Sequence, residues 1–422
     1  MNVRYLAVDC LYRVLHSGCR ANAAILDAFQ SANPSAVDRR LLHEIVYGVL
    51  RRYFSLEADV SRFTSRKPDD WVRLALLTGA YQLRHMRVPD HAAVSETVNA
   101  VKASKFGRAS GMVNAVLRKI IAKPPPAKLK PYQRSELPQW LYRTWRDAYG
   151  AEAVERFCTY AQRPPLLTLA MLHENRDEWI GRACAQGLDA RLGELSPQAV
   201  LLPAGTNPVE LSGFDKGEFI VMDQSAQLAA LALQDASGRM LDMCASPGGK
   251  AIVLHAISSG TQVTAVELSA ARLPVLRENL ERTRTTDIRL VQADAACLPA
   301  GVESFDAVLL DSPCSASGIL RRHPDAKFLH SPEDIARHTM LQARLLRESA
   351  RVVRPGGRIV YAVCSIHAAE NEEVIAPMLS DKSLVADTLS PMLQPFECGP
   401  GMARLLPGED HDGFFIACLK KL

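Results

Sequence analysis

From about Phe219 onward, short apolar runs of strand length alternate with longer stretches of helical spacing. This alternation narrows the possible folds more than any other feature of the chain. RMLDMC, QVTAVEL, IRLVQAD, FDAVLLD, GRIVYAVCS and FFIACLKK read as strands. GKAIVLHAISS, SAARLPVLRENLERT, SPEDIARHTMLQARLLRESARVV and HAAENEEVIAPMLS fall between most of them as helices. Strands that are apolar at successive positions and joined by helical crossovers predict a parallel sheet covered on both faces, an α/β fold of the Rossmann-like class. In such sheets a ligand lies outside the carboxyl ends of the strands, which is where the unusual residues cluster.

The rest of the chain has a different rhythm. Up to about Lys123 nearly every segment has helical spacing, as in RYLAVDCLYRVLHSG, RRLLHEIVYGVLRRYF and SGMVNAVLRKIIAK, and an all-α bundle is expected. KPPPAKLKP, residues 123–131, cannot continue a helix and reads as a linker. Helices and short strands mix thereafter, giving expected domains of 1–126 (all-α), 127–218 (a small α+β connector) and 219–422 (α/β). Charge follows this division: residues 1–130 carry a net +11 and the remainder −7, within a total of +4. A basic helical part suits a polyanion, and a solvated Arg-rich surface would look the same. No run approaches the length of a membrane span, no signal peptide is recognisable, and the ten cysteines include no CxxC pair. A cytoplasmic protein without a metal site is expected, and nothing calls for more than a monomer.

The turn of Cys244, Ala245, Ser246, Pro247, Gly248, Gly249 and Lys250 lies between the first strand of the α/β part and a helix. It is not a Walker A loop, because Cys244 stands where the first Gly belongs and Ala251 follows the lysine. The two glycines still allow close backbone approach at a helix N-terminus. Glu267 ends the second strand, where a carboxylate can accept two ribose hydroxyls, and Asp294 ends the third, where an acid can accept an adenine amino group. An adenosine-containing ligand without a tight phosphate cradle fits best, and S-adenosylmethionine is the natural candidate.

Reactive groups follow on the next two strands. Asp311 and Cys314 stand just past FDAVLLD, and Cys364 ends GRIVYAVC. Neighbouring parallel strands lie about 4.8 Å apart, so two thiols and a carboxylate can face one pocket. The other cysteines read as inert small hydrophobes.

DMCASPGGK, DSPCSASGILRRHPD and YAVCSIHAAENE, in this order and followed by DGFFIACL, resemble the motifs of the Nol1/Nop2/Sun family of RNA cytosine-5 methyltransferases. The likeness covers about residues 215–422. The helical part, ending in MVNAVLRKI, is similar to the NusB-like RNA-binding domain, a fusion typical of bacterial members that act on 16S ribosomal RNA. The resemblance implies S-adenosylmethionine-dependent synthesis of 5-methylcytosine, with Cys364 as the nucleophile and Cys314 assisting release. It departs from the usual pattern at Val363 (commonly Thr), Ser246 (commonly Ala) and Glu267 (commonly Asp), none of them a reacting group.

The chemistry explains the need for a thiol. C5 of cytosine is a weak nucleophile until a thiolate adds to C6 and pushes electron density onto it. Lys250 is a candidate to favour that thiolate, and Asp311 can hydrogen-bond N3 and N4 of the ring. The base must leave its stack, so an unpaired or loop cytosine is expected. Arg321, Arg322 and His323 can then hold flanking phosphates, unless Arg322 pairs with Asp325. A tRNA substrate and a non-catalytic RNA-binding factor are the alternatives.

Overall fold

The structure is a computed structural model that describes residues 2–173, 175–258, 260–299, 301 and 303–422. Its basic first part forms α1 (Val3–Ser17), α2 (Ala21–Ala32), α3 (Ala36–Arg51), α4 (Tyr53–Ser61), α5 (Asp70–His85), α6 (Asp90–Lys102) and α7 (Ser110–Ala122). Local chemistry sets the helix ends. Asn2 accepts the N–H groups of Arg4 and Tyr5 at the head of α1, Gly18 closes that helix at φ 66°, and Ser35 and Asp69 cap α3 and α5. Leu6, Cys10, Leu11 and Val14, spaced for one face of α1, enter a core shared with Leu74, Leu77 and Leu117. The run 39–54, which reads as one helix, breaks at Arg52, where φ is −103°.

Residues 123–130 hold no helix or strand, as their prolines require. Then come α8 (Pro131–Arg134), α9 (Gln139–Tyr149) and α10 (Ala151–Ala161), the last two parted by Gly150 at φ 81°. These helices cluster with the earlier ones: one compact unit spans Met1–Arg163 together with Leu320–His330, and a second spans Pro164–Ile319 and Ser331–Leu422.

The second unit begins with β1 (Leu167–Met171), α11 (Arg176–Ala185), β2 (Arg191–Leu192), β3 (Ala199–Leu202) and β4 (Phe219–Val221), whose strands form an antiparallel sheet ordered β2-β3-β1-β4. The large sheet follows: α12 (Gln224–Leu231), β5 (Arg239–Asp242), α13 (Gly249–Ile257), β6 (Gln262–Glu267), α14 (Leu273–Arg282), β7 (Arg289–Gln292) and β8 (Phe305–Asp311). After α15 (Ala326–Leu329) come α16 (Pro332–Val352), β9 (Val353–Val363), α17 (Glu372–Ser380), β10 (Leu384–Ala386), β11 (Glu397–Gly399), β12 (Met402–Leu405) and β13 (Phe414–Lys421). Strand order is β11-β12-β13-β9-β8-β5-β6-β7, with β10 on β13.

The expected all-parallel sheet is corrected here. β5 to β9 are parallel, but β13 starts beside Val363 and runs back antiparallel to β9. It follows β12 through residues 406–413 and pairs antiparallel with that strand too, so β12 runs parallel to β9. Both faces are covered, as the apolar runs require. Ala307 and Leu309 pack with Leu228, Ile252 and Leu276 on one side, while Val308 and Leu310 pack with Leu345, Leu346 and Ile375 on the other. The order reverses between β5 and β8, and in open sheets of this kind ligands lie outside the carboxyl ends of the strands at that switch point.

Among the described residues no helix is long and apolar enough to cross a membrane. The segment Leu320–His330, which follows the Cys314 loop, belongs to the helical unit. There Asp325 accepts the Ala21 N–H at 3.1 Å, the Lys327 ammonium donates to the Glu136 carbonyl at 2.7 Å, and Phe328 stacks on Phe54 with centroids 5.7 Å apart.

Candidate active site

The turn after β5 is built for close backbone approach. The Ala245 N–H bonds Val266 O on the neighbouring strand at 2.9 Å, and the Gly248 N–H bonds Ala245 O at 2.6 Å. Gly248 has φ +106°, and a Cβ there would lie 2.5 Å from the Leu276 side chain, so both conformation and space demand glycine. The Asn279 amide holds the Pro247 carbonyl at 2.9 Å. The N-cap residue Gly248 has no side chain to close the first turn of α13, which leaves a helix N-terminus of the kind that suits a ligand.

On β6, Glu267 is nearly buried and one of its oxygens accepts the Ser269 N–H at 2.7 Å. Asp294 stands two residues past the end of β7, is exposed, and accepts the Ala296 N–H at 2.9 Å. Beside Glu267, Leu268 is 64% exposed, an apolar surface that an aromatic base can cover. Sequence reading passed over it because a single leucine after a strand carries no motif. The cradle, the two acids and this leucine fit a nucleoside.

The Lys250 ammonium lies 2.6 Å from Asp311 Oδ2 and 5.5 Å from the Phe414 ring centroid. Burial works against its charge, but the Asp311 carboxylate outweighs it and Cys364 adds to the same effect, so the lysine holds its proton more firmly than usual. Asp242, at the end of β5, is 1% exposed; burial first, and the Asp311 charge second, push its carboxyl up to about 7. Read from the sequence it was one more strand residue, since nothing local says that a strand-end acid will be sealed behind a lysine.

Cys314 and Cys364 meet with their sulfurs 3.4 Å apart. Their strands are adjacent, with Asp311 in register with Ala362, and Gly318 N–H bonds Cys364 O at 3.0 Å. The bond to Cys364, then burial, raise the Cys314 thiol well above its ordinary range. Cys244 is also pushed up, by burial before the surrounding acids, and is a thiol of the turn rather than a reactive one. Val363 is buried in the apolar layer beneath β9, so the hydroxyl it lacks faces core.

The basic stretch belongs to the helical unit. Arg321 is 5% exposed in the helical unit, its guanidinium 5.9 Å from the Tyr160 ring centroid, and that packing keeps it from phosphates. Arg322 and His323 are partly exposed, and burial lowers the His323 pKa.

Family models match in three blocks: NusB family over residues 1–122, an RsmF/B-like ferredoxin-like domain over 137–209, and 16S rRNA methyltransferase RsmB/F over 228–420. The chain is 35% identical to a Vibrio vulnificus ribosomal RNA small subunit methyltransferase B, covering all of both chains. It is 34% identical to the Shewanella oneidensis protein of that name, covering all of this chain and 99% of the other. Among solved structures, PH0851 superposes with a TM-score of 0.82 over 100% of this chain and 99% of its own at 23% identity. NSun6 from Pyrococcus horikoshii with SFG superposes with a TM-score of 0.58 over 67% of this chain and 98% of its own at 20% identity. A fold with these strand ends, matched along its whole length by such relatives, identifies the chain as a methyltransferase belonging to the ribosomal RNA small subunit methyltransferase B family.

Proposed function

We propose that this methyltransferase makes 5-methylcytosine in 16S ribosomal RNA through a covalent bond between Cys364 and C6 of the target cytosine. The observation that carries this reading is the thiol pair, two sulfurs 3.4 Å apart just past the ends of β8 and β9, with Asp311 at the end of β8 paired to Lys250 of α13. S-adenosylmethionine, when bound, supplies an electrophilic methyl group. The turn Cys244–Lys250 would hold it with backbone groups, Glu267 its ribose, Asp294 its adenine amino group, and Leu268 the base face.

Cys364 attacks C6 as the thiolate. Cys314, whose raised pKa keeps its proton, donates to that sulfur and steadies the charge, and Lys250 lends a positive charge nearby. Lys250 engages Oδ2 of Asp311, so Oδ1 is the oxygen that would meet N3 and N4 of the ring. When electron density moves from C6 to C5, Asp311 stabilises the pyrimidine by sharing a proton with N3. With the methyl group on C5, loss of the C5 proton and cleavage of the bond between the Cys364 sulfur and C6 restore the ring and return Cys364 as a thiolate, and Cys314 assists that release. The basic helical unit attracts the RNA backbone, with Arg322 and His323 as flanking contacts, and the chain acts as a monomer.

The test combines methyl transfer with trapping. Labelled S-adenosylmethionine offered with unmodified 16S rRNA, tRNA and duplex DNA should label the 16S rRNA as 5-methylcytosine. Cys364→Ala should lose the covalent complex with 5-fluorocytosine RNA, and Cys314→Ala should keep it. Trapping by Cys364→Ala but not by Cys314→Ala would refute the assignment, and label confined to tRNA would refute the substrate.

A further inference from the structure

Glu370 has no part in the reaction described above, yet it touches the residue next to each thiol. It is fully buried. One carboxylate oxygen accepts the Ser315 N–H at 2.8 Å and the Gln342 amide at 3.2 Å, and the other accepts the hydroxyls of Ser315 and Ser365. Ser315 follows Cys314, and Ser365 follows Cys364. Its own backbone carbonyl takes the Tyr361 hydroxyl at 2.6 Å, and the Gln342 amide also reaches Pro313 O at 3.0 Å. Four donors converge on one acceptor-only group. A carboxylate satisfies all of them, whereas an amide would turn its own N–H groups toward other donors.

We propose that Glu370 is the positioning residue of the thiol pair, its buried carboxylate tying the loop after Cys314 to the loop after Cys364 so that the two sulfurs meet. The inference rests on the roles given to the two cysteines under the proposed function. A purely structural brace would stop at geometry, but Glu370 also acts on the chemistry. The titratable groups around Cys314 are Cys364, Glu370 and Tyr361, with Lys250 facing Cys364. The Glu370 charge is one of the influences that keep Cys314 protonated, after the Cys364 bond, burial and the Cys364 charge. The same carboxylate thus sets the distance and helps decide which sulfur holds the proton.

The test reads the thiols directly, so that it stands even where no RNA is methylated. Full-length wild type and Glu370→Gln are pulsed with iodoacetamide across a pH series, and alkylation of Cys314 and Cys364 is counted by peptide mass spectrometry. Glu370→Gln should move the Cys314 midpoint to lower pH, because a negative charge near it is gone. With 16S rRNA, kcat should fall ~10- to 100-fold while the KM for S-adenosylmethionine stays within about twofold. An unmoved Cys314 profile overturns the proposal, even with a lowered kcat, since Glu370 would then be fold support alone. An unchanged kcat in an enzyme that methylates RNA overturns it equally. Should Glu370→Gln not fold, Ser315→Ala and Ser365→Ala each remove one hydroxyl and leave the charge in place. Each is expected to lower kcat several-fold, and full activity in both refutes the brace.

Discussion

Lys250 in the α/β unit and Lys327 in the helical unit are both withdrawn from water, and the two regions treat them oppositely. Lys250 is given a carboxylate, Asp311 at 2.6 Å, and holds its proton more firmly than a free lysine. Lys327 is given backbone carbonyls, Glu136 at 2.7 Å and Arg51 at 3.3 Å, with the rings of Phe54 and Phe328 about it. Burial then prevails over the nearby Glu136 charge, and its pKa falls to about 8. A carboxylate partner keeps a cation in place at the head of α13, where in the proposed reaction charge develops. Two carbonyls take the ammonium as a donor that pins Leu320–His330 into a helical core.

The largest effect that separates the two is on rate. Lys250→Met should reduce methyl transfer ~100- to 1000-fold, as loss of one aligned electrostatic contact does, with little change in the denaturant midpoint. Initial rates at saturating S-adenosylmethionine check this, and a loss no greater than that of Lys327→Ala would break the contrast. Next is stability. Lys327→Ala leaves two carbonyls without their donor, removes the positive charge near the buried Glu136 and opens a cavity, and should cost about 2–3 kcal/mol in urea unfolding. Its affinity for S-adenosylmethionine should be unchanged in the folded state. The smallest effect is a pH slope. The folded pKa of Lys327, about 8, lies below its ordinary 10.5, so between these values the unfolded chain binds more protons and stability rises with pH. The penalty is present in full below about 8 and is gone above 10.5. In wild type minus Lys327→Met, the gain should be on the order of 1–3 kcal/mol across that window. A flat difference would mean that Lys327 is hydrated.

Local patterns carried the sequence reading a long way. Glu267, Asp311, the Gly248 turn and both cysteines could be singled out as candidates because each ends or follows a strand that its own apolar residues announce. What failed had a long-range cause. Arg321 looks like a surface cation in RRHPD, and only the packing of Leu320–His330 against α3 and α10 makes it interior. Asp242 stands in an apolar strand and Glu370 in a polar-looking run, and the burial of both acids depends on neighbours far along the chain. The direction of β13 was missed because an apolar run is the same read either way.

The sequence by itself determined the alternation of strands and helices, the places where strands end, and the residue types standing there, because burial periodicity and turn chemistry act over a few neighbouring residues. Only the tertiary structure decided that β8 lies between β5 and β9, that Cys314 therefore meets Cys364, that Lys250 reaches Asp311, and that one buried carboxylate braces the loops after both thiols. Those contacts follow from strand order, which the whole set of packed faces selects together and no single segment encodes.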